Sequence, residues 1–277
     1  MEYLKKNGYR VLSLSEFKRC FLHKNCPEKS ILITVDDGYK STMKAFEVFS
    51  KYGFPFVVFL YLEAVGRYPD FLSAEDIRKF QRSGLVEFGS HSYSHFSVAK
   101  MACMPEEERK GFFERDIERA EKRFRRLLGE KPSVFAYPYG EYSRELIEVL
   151  KKRGYEFAFT QDLGVVGNCT DRYLIPRIPV VGSWSSKDRF VQFLKLGFLC
   201  VNGTIPYGVV ENPVVVGPFD APYRNCYLYS TLLGWIKKKK AIFHLKRGRN
   251  RVGVVCVDRG VKRMLLRTVI PKEDVCP

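Results

Sequence analysis

The sequence of 277 residues contains no run of about 20 apolar residues, so it offers no candidate for a membrane-spanning helix. Its first residues, MEYLKKNGYRVLSLSEF, lack the uninterrupted apolar segment of a secretory signal. It also lacks the signatures of zinc-finger, RNA-recognition and helix-turn-helix modules. From these absences we expect a protein that is cytoplasmic or lies peripherally on the inner membrane surface, and that binds no nucleic acid.

The eight cysteines form no Cys-x-x-Cys pair and no dense framework. Thiols spaced so widely favour a reducing cytosol, and we expect them to be unpaired. Cys20 and Cys26 flank a histidine and could form a metal clip, but their spacing matches no common zinc pattern.

Composition indicates one large core, or one core with a small added module, because 45% of the residues are hydrophobic and 14% are aromatic. Lys and Arg number 47 against 31 Asp and Glu, a formal net charge of +16. Such a surface attracts phosphates, acidic glycans or anionic lipid head groups. The other interpretation is a solvated basic surface, since many basic residues alternate with Glu on helical faces.

Apolar strand-like runs alternate with amphipathic helical patterns up to about residue 170, which predicts an α/β fold with a largely parallel sheet. The predicted strands are Ile31 to Val35, Phe56 to Tyr61, Leu85 to Phe88, Ser133 to Ala136 and Phe157 to Thr160. The predicted helices follow Ser41, follow Ser73, and span Glu106 to Leu128 and Glu141 to Arg153.

From Arg172 the pattern changes to a Pro-interrupted strand, and beyond about residue 195 short β-like pieces surround the basic run Lys237 to Lys240. We therefore predict a domain over residues 1–195 and a C-terminal extension of unknown role, a small β-rich module, over residues 196–277.

Two adjacent carboxylates, Asp36 and Asp37, follow the first predicted strand and precede Gly38. Successive strand side chains point to opposite sides, so the two carboxylates are expected to do different work. One would bind a cation while the other takes a proton. The alternative is a plain turn, because Asp-Asp-Gly is also good turn chemistry.

Two of the four histidines, His91 and His95, follow another predicted strand and lie four residues apart. Imidazoles at this spacing can share one face of a helical turn and converge on one ion. With one carboxylate they would complete the three-ligand set of a catalytic zinc site, which leaves a fourth position for water. Either histidine could instead be structural.

A third strand end leads into Tyr137-Pro138-Tyr139-Gly140. The carboxyl ends of parallel strands meet at one edge of a sheet or barrel, where active sites collect. This shared placement favours the functional interpretation of all three segments.

These segments resemble the motifs of the polysaccharide deacetylases of carbohydrate esterase family 4, the NodB-homology domain. Thr34-Val35-Asp36-Asp37-Gly38 is similar to the family's T-F-D-D-G, and His91-Ser92-Tyr93-Ser94-His95 to its H-S/T-x-x-H. The resemblance implies that Asp36 is the catalytic base and that Asp37, His91 and His95 bind the metal. It also implies that the Tyr139 backbone N–H helps to hold the oxyanion.

The sequence departs from the family pattern, and it lacks the family's D-x-x-D-W motif. Ala136 stands where the third motif often has an arginine that supports the base, and Arg177 is a candidate replacement or a plain surface arginine. The family's general-acid motif, L-x-H, has only a faint counterpart in Ile242-Phe243-His244, where a solvated histidine is the alternative.

The resemblance implies a distorted (β/α) barrel of the NodB type with a small C-terminal extension. It further implies a metal-dependent hydrolase that removes acetyl groups from N-acetylated sugars of a polysaccharide or glycan precursor. The expected cofactor is Zn2+, with Co2+ or Ni2+ as alternatives, and the expected partners are an acetylated glycan and an anionic membrane surface. The rival hypothesis is a catalytically silent protein of this fold that binds glycans or anionic membrane surfaces.

Overall fold

The computed structural model describes residues 1–276, apart from the side chain of Ser183. The chain forms two compact units, each assembled from several segments. The first unit comprises Met1–Phe96, Gly111–Pro138 and Leu150–Glu156. The second comprises Ser97–Lys110, Tyr139–Val149 and Phe157–Pro277.

The first unit holds a parallel sheet with the strand order β3-β4-β5-β6. The strands of this unit are β1 (Arg10–Val11), β2 (Ser30–Ile31), β3 (Thr34–Val35), β4 (Phe56–Leu60), β5 (Val86–Ser90) and β6 (Val134–Ala136). All five residues of β4 are buried, as expected for a strand inside a parallel sheet that is covered on both faces. The predicted strand Ile31 to Val35 is divided into β2 and β3.

Helices cover this sheet, and capping signals in the sequence set their ends. The helices of the whole chain are α1 (Glu2–Lys6), α2 (Leu14–Leu22), α3 (Thr42–Tyr52), α4 (Ala74–Ser83), α5 (Glu106–Leu128), α6 (Arg144–Lys152) and α7 (Lys187–Leu194). Ser73 begins α4 with a capping box, and Gly53 and Gly84 end α3 and α4 in the left-handed region. The predicted bounds of α5 are confirmed, whereas α6 begins three residues later than predicted.

The core of the first unit lies between the sheet and these helices. Phe56, Val58 and Leu60 of β4 pack there with Phe80 of α4 and Phe124 of α5, and all five side chains are buried. This core fixes β4 and β5, and therefore fixes the segments that follow them.

The second unit is mainly antiparallel. Its main sheet has the order β14-β13-β16-β17-β7, with β8 beside β7 and β10 beside β17. The strands of this unit are β7 (Phe157–Gly164), β8 (Ile175–Arg177), β9 (Asn202–Gly203), β10 (Gly208–Val210), β11 (Val214–Val216), β12 (Phe219–Asp220), β13 (Cys226–Ser230), β14 (Gly234–Ile236), β15 (Ala241–Phe243), β16 (Asn250–Asp258) and β17 (Val261–Pro271). The β-like character expected beyond residue 195 is confirmed.

The boundary predicted near residue 195 falls inside this second unit. β17 of the C-terminal segment pairs antiparallel with β7, through Leu265 with Gly164 and Leu266 with Leu163. The division into a 1–195 domain and a 196–277 extension stays a prediction.

The cysteine prediction is wrong, because all eight cysteines form disulfides. The pairs are Cys20–Cys26, Cys103–Cys276, Cys169–Cys200 and Cys226–Cys256. Cys20 and Cys26 therefore form no metal clip. Pairing of this kind is favoured in oxidising compartments, so a reducing cytosol no longer follows from the cysteines.

Among residues 1–276, no helix combines the length and the apolar character that crossing a bilayer requires.

Candidate metal centre

The first carboxylate motif lies in a tight turn at the carboxyl end of β3. Asp37 and Gly38 both adopt left-handed backbone angles, with φ of 70° and 77°. This φ favours glycine at position 38, and a side chain there would also lie in tight contact, 3.0 Å from the Leu60 side chain. The turn interpretation is thus correct, and it is compatible with a ligand role, since unfavourable φ at a non-glycine residue often marks a functional site.

The two histidines lie in the loop that follows β5, and the predicted helical turn is wrong. Ser92 and His95 have left-handed φ of 66° and 53°. The loop folds back so that the Ser92 hydroxyl accepts a hydrogen bond from the His95 backbone N–H at 2.8 Å. This local fold, rather than the i,i+4 face of a helix, brings His91 and His95 together.

Asp37, His91 and His95 converge on one point. Asp37 Oδ1 lies 3.4 Å from His91 Nε2 and 3.1 Å from His95 Nε2. One ligand atom from each of the three residues lies within 4.8 Å of the other two. His91 is buried and the other two side chains are partly exposed, which leaves an open side to the cluster.

The imidazole of His91 is held in one tautomer. Its Nδ1 lies 2.7 Å from the backbone oxygen of Ala136, which can only accept, so Nδ1 carries the hydrogen and donates it. Nε2 then presents its lone pair to the cluster. Burial lowers the pKa of His91, and the neighbouring His95 lowers it further, against opposing effects of Asp36 and Asp37. A neutral, oriented imidazole is the form that binds metals.

Asp116 on α5 holds the loop between His91 and His95, which we call the histidine loop. The sequence analysis did not identify Asp116. Its carboxylate accepts hydrogen bonds from Tyr93 N at 2.8 Å, from Ser94 N at 3.0 Å and from the Ser94 hydroxyl at 2.5 Å. Burial raises the pKa of Asp116, although these hydrogen bonds oppose the shift. A signal was present, because Asp116 lies three residues after Phe113 and four before Ala120, on the apolar face of the helix.

The cluster fits a divalent cation. Asp37 Oδ1 is buried and makes no hydrogen bond to any residue between 1 and 276, although it faces two imidazole nitrogens. Ligands about 2.0–2.1 Å from a tetrahedral ion lie about 3.3 Å apart, close to the two Asp37–histidine distances. A buried carboxylate oxygen without a donor is costly, and a cation is the simplest group that offsets that cost.

The remaining predicted site residues lie at defined positions. Asp36 is half-buried beside the cluster, near enough to raise the pKa of His91. Tyr139 lies in the second unit with φ of 59°. Arg177 on β8 donates from Nε to the Thr160 backbone oxygen at 2.7 Å, and His244 is exposed after β15.

Comparison with known proteins identifies the part of the chain that holds this cluster. A family model described as polysaccharide deacetylase matches residues 23–158. Residues 23–158 are therefore similar to the polysaccharide deacetylase family. The matched segment contains Asp36, Asp37, His91 and His95, so the resemblance that these motifs indicated is confirmed.

Curated proteins similar to this chain include two named poly-β-1,6-N-acetyl-D-glucosamine N-deacetylase. The Escherichia coli K12 protein is 27% identical over 232 residues, which cover 69% of this chain and 34% of that protein. The Staphylococcus epidermidis protein is 27% identical over 201 residues, 70% of this chain and 68% of that protein. The chain thus spans from about a third to about two thirds of the length of these relatives.

Solved structures show the same fold. IcaB from Ammonifex degensii matches with a TM-score of 0.62 and 28% identity, over 70% of this chain and 85% of that chain. A de-N-acetylase from Aggregatibacter actinomycetemcomitans matches with a TM-score of 0.61 and 23% identity, over 69% of this chain and 86% of that chain. The predicted fold class, an α/β fold of the NodB type, is confirmed by these likenesses.

Proposed function

We propose that this chain is a metal-dependent hydrolase that removes acetyl groups from N-acetylated sugars of a polysaccharide. The observation that carries the proposal is the convergence of Asp37, His91 and His95 on one point. The names of the relatives support the substrate class, because the curated relatives act on poly-β-1,6-N-acetyl-D-glucosamine.

Asp37, His91 and His95 would hold a divalent cation, and zinc suits two imidazoles and one carboxylate best. Such a cation would polarise the acetamide carbonyl and lower the pKa of water in the site to about 7. Cobalt and nickel are expected to substitute, since imidazole ligands also suit them.

Asp36 would act as the general base. It follows β3 directly and lies beside His91, while its neighbour Asp37 points its Oδ1 at the imidazoles. This arrangement agrees with the division of labour expected for adjacent carboxylates. Asp36 would take a proton from the attacking water, and that proton would then be available to the departing amine.

Tyr139 would contribute its backbone N–H to the developing oxyanion. Tyr139 and Gly140 are consecutive residues with left-handed φ, a backbone form in which successive N–H groups can present themselves to an anion. A side chain at Gly140 would meet Gln161 at 2.5 Å, so the turn tolerates only glycine there. A preformed donor of this kind stabilises charge in the transition state at no cost of reorganisation.

The rival hypothesis of a silent binding protein is disfavoured by the same geometry. A protein without turnover has no need to keep His91 in one tautomer or to leave Asp37 Oδ1 without a hydrogen-bond donor inside residues 1–276. The buried Asp37 oxygen without a donor costs stability, and both features suit a bound cation.

The test compares two variants on N-acetylated β-1,6-glucosamine oligomers by acetate release. Asp36→Asn is expected to bind zinc as the wild type does and to release acetate at least about 100-fold more slowly, because it loses only the base. His91→Ala is expected to lose both zinc and acetate release. Wild-type turnover in either variant, or turnover that persists after chelation of all metal, would contradict the proposal.

A further inference from the structure

The C-terminal segment concentrates positive charge. Residues 196–277 hold 14 Lys and Arg against five Asp and Glu. Within them, residues 221–257 contain nine Lys and Arg and no acidic residue. This stretch runs from just before β13 to the last residue but one of β16, and it lies outside the segment that matches the deacetylase family.

Exposed apolar side chains lie within this basic stretch. β13 and β14 form an antiparallel hairpin whose connecting residues include Leu232 and Leu233. These leucines are 54% and 57% exposed, and Trp235 on β14 is 46% exposed. We call Leu232, Leu233 and Trp235 the hairpin tip. Three large apolar side chains, each about half exposed and all within four positions of the chain, favour an interaction surface.

The lysine run Lys237–Lys240 follows the hairpin directly, and all four side chains are exposed. β14 is only three residues long, so the run begins about 10 Å from the start of the strand. On the far side of the run, Val215 and Ile242 face each other across β11 and β15 and are 43% and 63% exposed. Apolar groups therefore flank a cationic centre on both sides.

We propose that the hairpin tip and the lysine run form a docking surface for an anionic lipid bilayer. A row of lysines fits negatively charged head groups, and leucine and tryptophan side chains gain free energy at the boundary of head groups and acyl chains. A soluble polyanion such as nucleic acid or an acidic glycan would use the lysines but would offer no apolar phase to the leucines. The combination therefore selects a membrane surface. The inference does not depend on the proposed deacetylation.

The lysine run and the hairpin tip are expected to contribute separately to the affinity for the bilayer. A basic residue near an anionic bilayer contributes about a fivefold increase in partition coefficient, and its effect falls with salt over about 10 Å. Burial of a leucine side chain contributes about tenfold or more, and its effect depends little on salt.

Cosedimentation with lipid vesicles tests the proposal on the full chain. The vesicles are phosphatidylcholine alone, or phosphatidylcholine and phosphatidylglycerol in equal amounts. The wild type is expected to bind the mixed vesicles at least about tenfold more tightly. A variant without the lysine run should bind the two kinds of vesicle equally; its changes are Lys237→Gln, Lys238→Gln, Lys239→Gln and Lys240→Gln. The variant with Leu232→Ser and Leu233→Ser should lose the part of the binding that resists salt.

Two matched controls separate these surfaces from charge and apolarity in general. One replaces four other exposed lysines and loses the same charge: Lys44→Gln, Lys51→Gln, Lys79→Gln and Lys195→Gln. The other is Val180→Ser with Val181→Ser, at positions 47% and 67% exposed. Both controls should bind mixed vesicles as the wild type does.

Tryptophan fluorescence can show whether the hairpin tip enters the bilayer, because the chain has only two tryptophans. In a Trp184→Phe background, Trp235 emission should shift to the blue on addition of mixed vesicles and remain unchanged with heparin. Binding to heparin or DNA that the serine pair leaves intact, without binding to mixed vesicles, would overturn the proposal in favour of a polyanion site. If the four-lysine control lost as much vesicle binding as the variant of the lysine run, net charge alone would explain the binding and the proposal would be overturned.

Discussion

Replacement of Asp116 by asparagine tests whether a residue remote from the metal positions the metal ligands. Asp116 Oδ1 accepts one hydrogen bond from the histidine loop and Oδ2 accepts two. Asparagine keeps one oxygen, so its NH2 group must face at least one donor N–H. At least one bond to a buried carboxylate is lost, and each contributes about 1.5–3 kcal/mol. We expect the free energy of unfolding to fall by about 3 kcal/mol.

The same change should loosen the loop between His91 and His95. Partners that orient metal ligands typically contribute about 10–100-fold to metal affinity, and we expect a loss of that size in Asp116→Asn. Competition for zinc with a chromophoric chelator measures the affinity, and urea denaturation measures the stability. The matched control is Glu118→Gln, which removes one charge from the exposed face of α5, where Glu118 pairs with Lys122. Wild-type zinc affinity in a folded Asp116→Asn protein would refute the positioning role.

Three further predictions concern buried groups and the base. Burial raises the pKa of Asp162 to about 6 in the folded protein from an ordinary 3.8, so the native state holds this proton more tightly. The stabilisation from this group is complete below about pH 4 and is lost as the pH rises through about 6, by about 3 kcal/mol at most. In Asp162→Asn, the free energy of unfolding measured by denaturation should depend less on pH over this range. Gly89→Ala would place a methyl group 2.5 Å from the buried Phe59 ring, and the free energy of unfolding, measured by thermal unfolding, should fall by about 1–3 kcal/mol. The control is Gly111→Ala in α5, which should leave the stability unchanged or raise it. Asp36→Asn should leave the zinc stoichiometry unchanged while acetate release falls, as calorimetry and an acetate assay would show.

Different outcomes would count against each of these three. An unchanged pH slope in the Asp162 variant would show that the carboxyl is ionised in the native protein well below pH 6. Equal melting temperatures for the two glycine variants would show that β4 and β5 adjust to the added methyl group. Loss of zinc in the Asp36 variant would make Asp36 a ligand rather than a base.

The convergence of Asp37, His91 and His95 was predictable because the sequence shows where the strands end. The apolar runs before Asp36 and His91 indicate parallel strands, and the carboxyl ends of such strands meet at one edge. The sequence could not predict how the loop after β5 turns. Its path depends on the left-handed residues Ser92 and His95 and on Asp116, which lies more than 20 positions further along the chain.

The disulfides were not predictable in the same way. Connectivity depends on which distant segments the fold brings together, and Cys103 and Cys276 are separated by 173 positions. Only Cys20 and Cys26 are close in sequence, and their spacing matches no common zinc pattern. The β-rich character of the C-terminal segment was visible, but its pairing with β7 through Leu265 and Leu266 was not.

The central claim is that deacetylation depends on one divalent cation held by Asp37, His91 and His95. The most direct measurement titrates metal-free protein with zinc and follows acetate release from N-acetylated β-1,6-glucosamine oligomers in the same samples. We predict that acetate release rises in proportion to added zinc and reaches its plateau at one equivalent, and that His91→Ala shows neither binding nor turnover. Full turnover in the metal-free protein, or a plateau that His91→Ala also reaches, would contradict the claim.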